Sequence, residues 1–314
     1  MTVQLSPKTP YYSLNAYLKD RVGERVQKIT LDAGLTCPNR DGRVGWGGCI
    51  YCNPRGSGTG AHAQGHSITR QLADGMAHVG KRYGARKFMA YFQSFSNTYA
   101  PLEKLCRLYE EALAHPQVVG LSIGTRPDCL SPELIKLLSS YSRTHLVWLE
   151  LGLQSAQDRT LALINRGHDA PCFARAAHLT AGQGLHVLAH VILGLPQEGK
   201  AEMLATARFL SSLPLDGVKI HLLYVIRQTP LARMFAQGAY TPLRREAYIE
   251  LLVDFIELLP PQMVIHRLTG DPHPHELVEP RWCLDKTGVL QQIKETFGRR
   301  RTFQGRLWQP ELPA

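Results

Sequence analysis

Three cysteines in a glycine-rich loop are the residues of this chain whose types and spacing point most directly to chemistry. Eleven residues separate Cys37 from Cys49, and Cys49 and Cys52 form a Cys-x-x-Cys pair. Thiolates are soft ligands for iron or zinc, and such a pair lets two sulfurs reach one metal group from a tight turn. Glycines at positions 42, 45, 47 and 48 permit the positive φ angles needed to wrap a bulky inorganic group. Protein-bound cubane clusters normally use four cysteines, so three would leave one iron open to another ligand.

Two other interpretations of these cysteines stay open at this point. A zinc ion held by the three cysteines and by His62 or His66 has the composition of a structural zinc site. Such sites usually bring their ligands as two close pairs, however, and neither histidine is spaced as a partner for Cys37. The third interpretation is inert thiols. Disulfides are disfavoured, because seven cysteines is an odd count and a reducing cytosol is the default compartment.

Alternating strands and helices are predicted around this loop. Apolar strand patterns occur at 27–31, 87–93, 118–124, 146–151, 185–193 and 218–225. Helical patterns occur at about 68–83, 101–115, 156–165, 171–183 and 199–212, with a further helix that starts at Ser131-Pro132. This alternation predicts a parallel α/β architecture, either an open sheet or a barrel. The carboxyl ends of all strands then meet at one edge, where functional sites of such folds collect.

The same patterns divide the chain into three parts. Residues 1–27 are predicted as an N-terminal cap, 28–235 as the main α/β unit, and 236–314 as a C-terminal extension. The extension contains a long helix at 243–259, a strand at 263–268, a last helix at 286–297 and a basic tail. No repeat or long low-complexity linker indicates independent domains.

Composition limits the possible classes and partners. The chain has 314 residues, 44% hydrophobic and 20% charged, as is ordinary for a globular protein. No apolar run approaches the roughly 20 residues of a membrane span, and residues 1–8 lack the profile of a secretory signal. A cytoplasmic protein without membrane contact is therefore expected. The net charge of +10 favours a polyanionic partner, with nucleic acid first and acidic metabolites second.

Six motifs, each beside a predicted strand, carry a family resemblance. They are the cysteine loop with Tyr51, Ile123–Asp128, Glu150–Ser155, Asn165–His168, Gly194–Pro196 and Val225–Thr229. In this order they resemble the radical S-adenosylmethionine (radical SAM) superfamily over roughly residues 10–306. Within it, the chain is similar to the YhcC/YtqA-type branch, which is related to the radical SAM domain of the elongator catalytic subunit. The resemblance implies a partial (β/α)6 radical SAM barrel with a short N-terminal cap and a C-terminal α/β extension.

The sequence departs from the commonest superfamily pattern at two places. The spacing between Cys37 and Cys49 is longer than usual and resembles the elongated loop of the elongator branch. The usual Gly-Gly-Glu after the second strand, which holds the methionine amine, is replaced by Phe92-Gln93-Ser94-Phe95. Contacts to that amine are therefore unassigned. No acetyltransferase module follows the barrel, so the resemblance does not imply acetyl transfer.

The resemblance implies the cofactors and their ligands. A [4Fe–4S] cluster on Cys37, Cys49 and Cys52 would bind S-adenosylmethionine (SAM) at its open iron. One electron, from a donor such as flavodoxin or ferredoxin, would cleave SAM to methionine and a 5′-deoxyadenosyl radical. Arg166 is expected to bind the methionine carboxylate, and Gln154 the polar groups of the cofactor.

Other polar residues near strand ends have two open interpretations. His190 matches a ribose-contacting position in related barrels, but a lone histidine in an apolar strand is usually a hydrogen-bonded core residue. The charged side chains of Arg126, Glu150 and Arg227 either pair with each other or contact the substrate.

The partner expected from sequence is tRNA, with the wobble uridine as the site of modification. A basic cluster interleaved with aromatic residues suits phosphate contact and base stacking. It consists of Arg299, Arg300, Arg301 and Arg306, beside Phe303 and Trp308. To reach the substrate, this segment must fold back to the edge that carries the cysteine loop. Two alternatives remain: a radical SAM enzyme for a small metabolite or protein, and a non-catalytic metal-stabilised module that binds nucleic acid.

Overall fold

A curled sheet of parallel strands forms the centre of the computed structural model, which describes residues 4–54, 56 and 60–310. The outer ends of the predicted terminal segments, residues 1–3 and 311–314, lie outside these ranges. The strands of the large sheet are β1 (Val26–Leu31), β2 (Lys87–Phe92), β3 (Val118–Thr125), β4 (Leu146–Gln154), β5 (His186–Leu193), β6 (Gly217–Leu222) and, after the short β7 (Val225–Ile226), β8 (Val264–Arg267). They pair in the order β1-β2-β3-β4-β5-β6-β8, all parallel. β7 pairs with β9 (Leu277–Glu279) in an antiparallel ribbon.

Helices follow most strands, as the sequence predicts. They are α1 (Leu14–Val22), α2 (Ile68–Tyr83), α3 (Leu102–Leu113), α4 (Pro132–Tyr141), α5 (Asp158–Leu163), α6 (Ala170–Thr180), α7 (Lys200–Ser211), α8 (Pro230–Ala236), α9 (Arg245–Glu257) and α10 (Lys286–Arg300). The predicted cap of α4 is present, because the Ser131 side chain accepts a hydrogen bond from the Leu134 amide. No helix in the described ranges is long and apolar enough to cross a membrane.

The two faces of the curled sheet have different environments. On the outer face, apolar side chains of β2 to β6 pack against the helices in one large core. The inner face is closed at the amino ends of the strands by α1, whose Leu18 packs against Val26, Met89, Trp148, Leu188 and Val264. Closer to the carboxyl ends of the strands, the side chains on the inner face become polar. At the carboxyl ends themselves, the inner face lines a cavity. The sheet therefore forms a cup that is accessible from the edge where the cysteine loop lies.

The C-terminal segment runs to the amino end of the sheet. Gln304 donates to the carbonyls of Pro260 (2.6 Å) and Met263 (2.8 Å), just before β8, and accepts a hydrogen bond from the Tyr12 amide (2.9 Å). The expectation that this segment folds back to the cysteine-loop edge is wrong.

Charge pairing between two neighbouring helices explains this course. Arg300 of α10 contacts Glu250 (3.2 Å), Asp254 (2.6 Å) and Glu257 (2.7 Å) of α9. Arg299 also pairs with Glu250. The acidic face of α9 thus holds α10 beside it and directs the arginines away from the cavity.

Candidate active site

A cavity of about 250 Å³ lies at the carboxyl ends of the strands. Its walls include all six residues that the sequence predicts as ligands of the cluster or of SAM: Cys37, Cys49, Cys52, Gln154, Arg166 and His190. These residues come from the cysteine loop, the end of β4, the segment after α5, and β5. Parallel pairing of the strands brings the cysteine loop after β1, the end of β4 and the carboxyl half of β5 to the same edge.

The cysteine loop is a hairpin fastened to the segment that follows α5. Asp41 and Trp46 form a β-bridge within the hairpin. The buried Asn39 side chain donates to the Asn165 carbonyl at 2.5 Å, and the Asn165 amide group donates to the Gly48 carbonyl at 2.8 Å. The Ile50 amide donates to the Ile164 carbonyl at 3.1 Å. These contacts fix the backbone on both sides of Cys49.

Arg166 lies beside Cys49 in the wall of the cavity. Its Nη1 is 3.6 Å from the Cys49 Sγ, and its Nη2 donates to the Gly152 carbonyl at 2.6 Å. Its Nε is buried and has no hydrogen-bond partner among the described residues. The arginine therefore places a positive charge beside the Cys49 thiol, and its Nε is available to donate to a ligand.

Arg126 contacts the backbone of Arg166 and also lines the cavity. Two nitrogens of Arg126 bind the Asp128 carboxylate, at 2.8 and 2.6 Å, and a third donates to the Arg166 carbonyl at 2.7 Å. Arg227 is also engaged with protein, since its Nε donates to the His275 carbonyl at 3.2 Å. Arg126, Arg227 and Glu150, the three charges left open by the sequence, all contact protein groups, and Arg126 and Glu150 also line the cavity.

A network of charges around Glu150 forms the polar layer beneath the cavity. The fully buried carboxylate binds Lys28 (2.6 Å), Lys219 (3.0 Å) and His190 (2.7 Å), and accepts a hydrogen bond from Ser122. Burial, Arg267 and Lys28 outweigh the attraction of Glu150 and lower the pKa of Lys219 to about 7. Burial and Lys219 lower the pKa of His190 to about 4. The sequence pointed to Glu150 and His190, but it did not indicate Lys28 or Lys219.

His190 uses both ring nitrogens within the protein. Nε2 faces Glu150, and Nδ1 is 3.2 Å from the His221 Nε2. Burial and the neighbouring His190 hold the pKa of His221 well below its ordinary value. The two rings are stacked, with centroids 5.2 Å apart. His190 is therefore a hydrogen-bonded histidine that also lines the cavity.

The cavity wall fits an iron–sulfur cluster with a polar ligand. Beside the three soft thiols, it contains the buried Ser94 hydroxyl and Arg166 Nε, which have no hydrogen-bond partner among the described residues. No three His, Cys, Asp or Glu side chains in the described part of the chain are grouped closely enough to hold a single metal ion. The candidate zinc ligand His62 instead packs its ring over Gly34. A cubane differs from zinc in binding each thiolate through a separate iron.

A partial parallel barrel with three cysteines at its open edge defines a class of enzymes that bind such a cluster together with SAM. The family model of the radical SAM superfamily matches residues 39–210, and that of the radical SAM C-terminal domain matches residues 215–299. The chain belongs to the radical SAM superfamily, and it is a radical SAM enzyme. The [4Fe–4S] cluster and SAM are the cofactors of this family.

Two relatives have nearly the same length as this chain. The chain is 38% identical to the uncharacterized protein YtqA of Bacillus subtilis over 299 residues, 95% of this chain and 93% of that protein. It is 38% identical to the protein YhcC of Escherichia coli K12 over 297 residues, 93% and 95% of the two chains. The expected resemblance to the YhcC/YtqA-type branch is confirmed.

Solved structures confirm the expected barrel. The archaeal Elp3 of Methanocaldococcus infernus superposes with a TM-score of 0.67 at 19% identity, over 88% of this chain and 63% of that chain. Coproporphyrinogen III oxidase (HemN) of Escherichia coli superposes with a TM-score of 0.50 at 16% identity, over 78% and 55% of the two chains. At these identities the likeness shows the fold alone.

Substitution of Gly152 tests whether the position of Arg166 matters for SAM. A Cβ at this position would lie 2.4 Å from the Arg166 Nη2 and 2.8 Å from the Gln154 Nε2, so both side chains would have to move. We expect Gly152→Ala to weaken SAM binding by about 1.5–3 kcal/mol, the contribution of a charge-assisted hydrogen bond. Equilibrium dialysis of the reconstituted protein measures this. Gly298→Ala is the matched control, because nothing lies within 4 Å of its added Cβ. Equal SAM affinity in the two variants would contradict the expectation.

Proposed function

We propose that this enzyme cleaves SAM reductively at a [4Fe–4S] cluster held by Cys37, Cys49 and Cys52, and uses the radical to modify the wobble uridine of tRNA. The observation that carries the proposal is that three thiols and Arg166, whose Nε has no described partner, line one cavity that opens at the edge of the sheet. When bound, the cluster supplies one electron to SAM, which yields methionine and a 5′-deoxyadenosyl radical. A flavodoxin or ferredoxin is the proposed source of that electron.

The residues of the cavity have separate proposed tasks. Arg166 binds the methionine carboxylate through its unpartnered Nε, since a guanidinium fork matches a carboxylate. Gln154, held at a positive φ of 80° at the end of β4, turns its amide toward the polar groups of SAM. His190 presents its ring to the ribose. The buried walls exclude water, so a reactive radical meets the substrate rather than solvent.

The exposed part of the cysteine loop, which we call the rim, has the chemistry of an RNA-binding surface. Trp46 in the cysteine loop is 74% exposed, and its ring lies over Gly42, where a Cβ would come within 2.3 Å of the ring. Arg43 in the same hairpin lies over the Tyr99 ring, 5.6 Å from its centroid. An exposed aromatic ring suits base stacking, and the neighbouring arginine suits a phosphate.

The C-terminal arginines have less support as RNA contacts. Arg299 and Arg300 are paired with acids of α9, whereas Arg301 and Arg306 are exposed at the opposite end of the sheet. If they bind RNA, they do so at a distance from the cavity. We therefore assign the reacting end of the tRNA to the cysteine-loop rim.

More distant relatives support RNA over a metabolite. The tRNA uridine(34) acetyltransferase of Dehalococcoides mccartyi is 32% identical over 161 residues, which are 50% of this chain and 34% of that protein. The human Elongator complex protein 3 is 30% identical over 157 residues, 49% and 28% of the two chains. The shared part is a minor fraction of both relatives, so the likeness supports uridine as the target without implying acetyl transfer.

Mass spectrometry of tRNA nucleosides tests the proposal. A deletion strain should lack one modified uridine that the parent strain contains. The wild-type gene should restore it, and a Cys49→Ser variant should not. Identical nucleoside profiles in deletion and parent strains would overturn the tRNA assignment and direct attention to a small metabolite or a protein.

The rim makes a separate prediction about tRNA affinity. The double variant Trp46→Ala/Arg43→Gln should lose about 1–3 kcal/mol of binding free energy for the stacked base, and its affinity should depend less on salt. Filter binding at two salt concentrations measures both quantities. The matched control is Arg301→Gln/Arg306→Gln at the opposite end of the sheet. A larger loss in the control than in the rim variant would place the RNA at the C-terminal arginines instead.

A further inference from the structure

Three cations lie on the inner face of the sheet. They are Lys28 of β1, Lys219 of β6 and Arg267 of β8, and we call them the lumen cations. Lys219 and Arg267 line the cavity itself. Their charges act on one another, since Arg267 and Lys28 both lower the pKa of Lys219. The carboxylate that faces them in the described structure is Glu150.

Glu150 cannot balance this charge alone. Its Oε1 accepts from Lys28 and Ser122, and its Oε2 accepts from Lys219 and His190. Four donors on two oxygens fill the usual capacity of a carboxylate. One negative charge is therefore shared by two lysines, and no acceptor capacity remains for a third cation.

Arg267 is the lumen cation that Glu150 does not bind. Among the described residues, no hydrogen bond or ion pair engages its guanidinium, although the side chain is only half exposed and sits at the end of β8 inside the cup. Lys219 uses two of its three donors, for Glu150 at 3.0 Å and the Tyr91 hydroxyl at 2.7 Å. The cavity wall thus presents five unused guanidinium donors and one unused ammonium donor.

We propose that Arg267 and Lys219 form a subsite for the carboxylate or phosphate of a small anionic co-substrate that enters the cavity beside SAM. A planar guanidinium fork matches an oxyanion bidentately, and an ammonium adds a third contact. Lys219 is buried on the inner face of β6, where a free small anion fits and the backbone of a folded RNA does not. The proposal rests on the proposed function and deepens it, because it adds a second small ligand to the cavity that is proposed to bind SAM.

Calorimetric titration of small anions tests the subsite. The protein is reconstituted with its cluster and saturated with SAM, so that the carboxylate of SAM is already in place, and it is then titrated with malonate and separately with inorganic phosphate. We expect saturable binding of at least one anion, and the tighter one identifies the group. Arg267→Gln should weaken that binding by about tenfold or more, the loss of one charge-assisted contact. Arg267→Lys should restore part of it.

The controls separate this inference from the proposed function. Iron content and circular dichroism verify that Arg267→Gln is folded and loaded. Arg301→Gln removes the same charge at the opposite end of the sheet and should leave anion binding unchanged. Absence of saturable binding in the wild type, or equal binding in wild type and Arg267→Gln, would overturn the subsite. The titration uses no RNA, so an unchanged tRNA profile in the deletion strain would overturn the tRNA assignment without touching this result.

Discussion

Replacing Cys49 with alanine should abolish assembly of the iron–sulfur cluster. Cys49 is the most buried of the three cavity cysteines, and Arg166 and Asn39 both direct nitrogen atoms toward its sulfur, at 3.6 and 3.9 Å. Two remaining thiolates would leave two irons of a cubane without protein ligands. Iron and sulfide analysis after anaerobic reconstitution should show about four irons per wild-type chain and only background in the variant.

The matched control for this experiment is Cys106→Ala. Cys106 lies on α3, its thiol contacts Glu110, and it takes no part in the cavity wall. It should load iron like the wild type, whereas Cys37→Ala and Cys52→Ala should both behave like Cys49→Ala. Full iron content in Cys49→Ala would refute the assignment of the cluster ligands.

Replacing Glu150 with leucine should give the largest loss of stability of any single change on the inner face. Lys28 and Lys219 would then be buried without a counter-ion, and removal of one partner of a buried ion pair costs about 3–5 kcal/mol. His190 and Ser122 would lose their acceptor as well. Urea unfolding under anaerobic conditions, followed by circular dichroism, measures the change in the free energy of unfolding.

A double-mutant cycle shows whether the cause is the unpaired charge. The variant Glu150→Leu/Lys219→Met removes one cation together with the anion, so it should be more stable than Glu150→Leu alone. Purely additive losses would mean that packing rather than charge explains the effect.

The sequence was sufficient for the fold and for placing the three cysteines at the edge where the strands end. Most strands of the large sheet have an apolar run, and parallel pairing fixes which ends meet, so the cysteine loop after β1 had to face the ends of β4 and β5. Short-range signals, such as the cap at Ser131, were equally reliable because they depend on residues a few positions apart. Helix α1 was missed, since only Leu18 within its nine residues is buried.

The charge network was less accessible to sequence reasoning. Lys28 and Lys219 lie 122 and 69 positions from Glu150, and their pairing depends on the register and curvature of the sheet. A signal was nevertheless present, since a lysine and a histidine occupy alternate positions of the otherwise apolar β6. The sequence also did not indicate the ion pairs of the basic tail, because they too join residues far apart in the chain. The tail's partners are the acids at 250, 254 and 257, whose helical spacing places them on one face of α9.

The cysteine loop and the segment after α5 are joined by hydrogen bonds, so the stability of one depends on the stability of the other. Asn39 and Asn165 each donate across this junction, and Arg166 follows directly in the chain. If the loop binds iron and Arg166 binds the carboxylate of SAM, as proposed, iron would also stiffen the backbone that presents the guanidinium, and the carboxylate would stiffen the loop. Because such coupling is reciprocal, metal retention and cofactor affinity are then expected to rise and fall together. Oxygen damage to the cluster would therefore also release the cofactor, which leaves a damaged molecule unable to hold SAM.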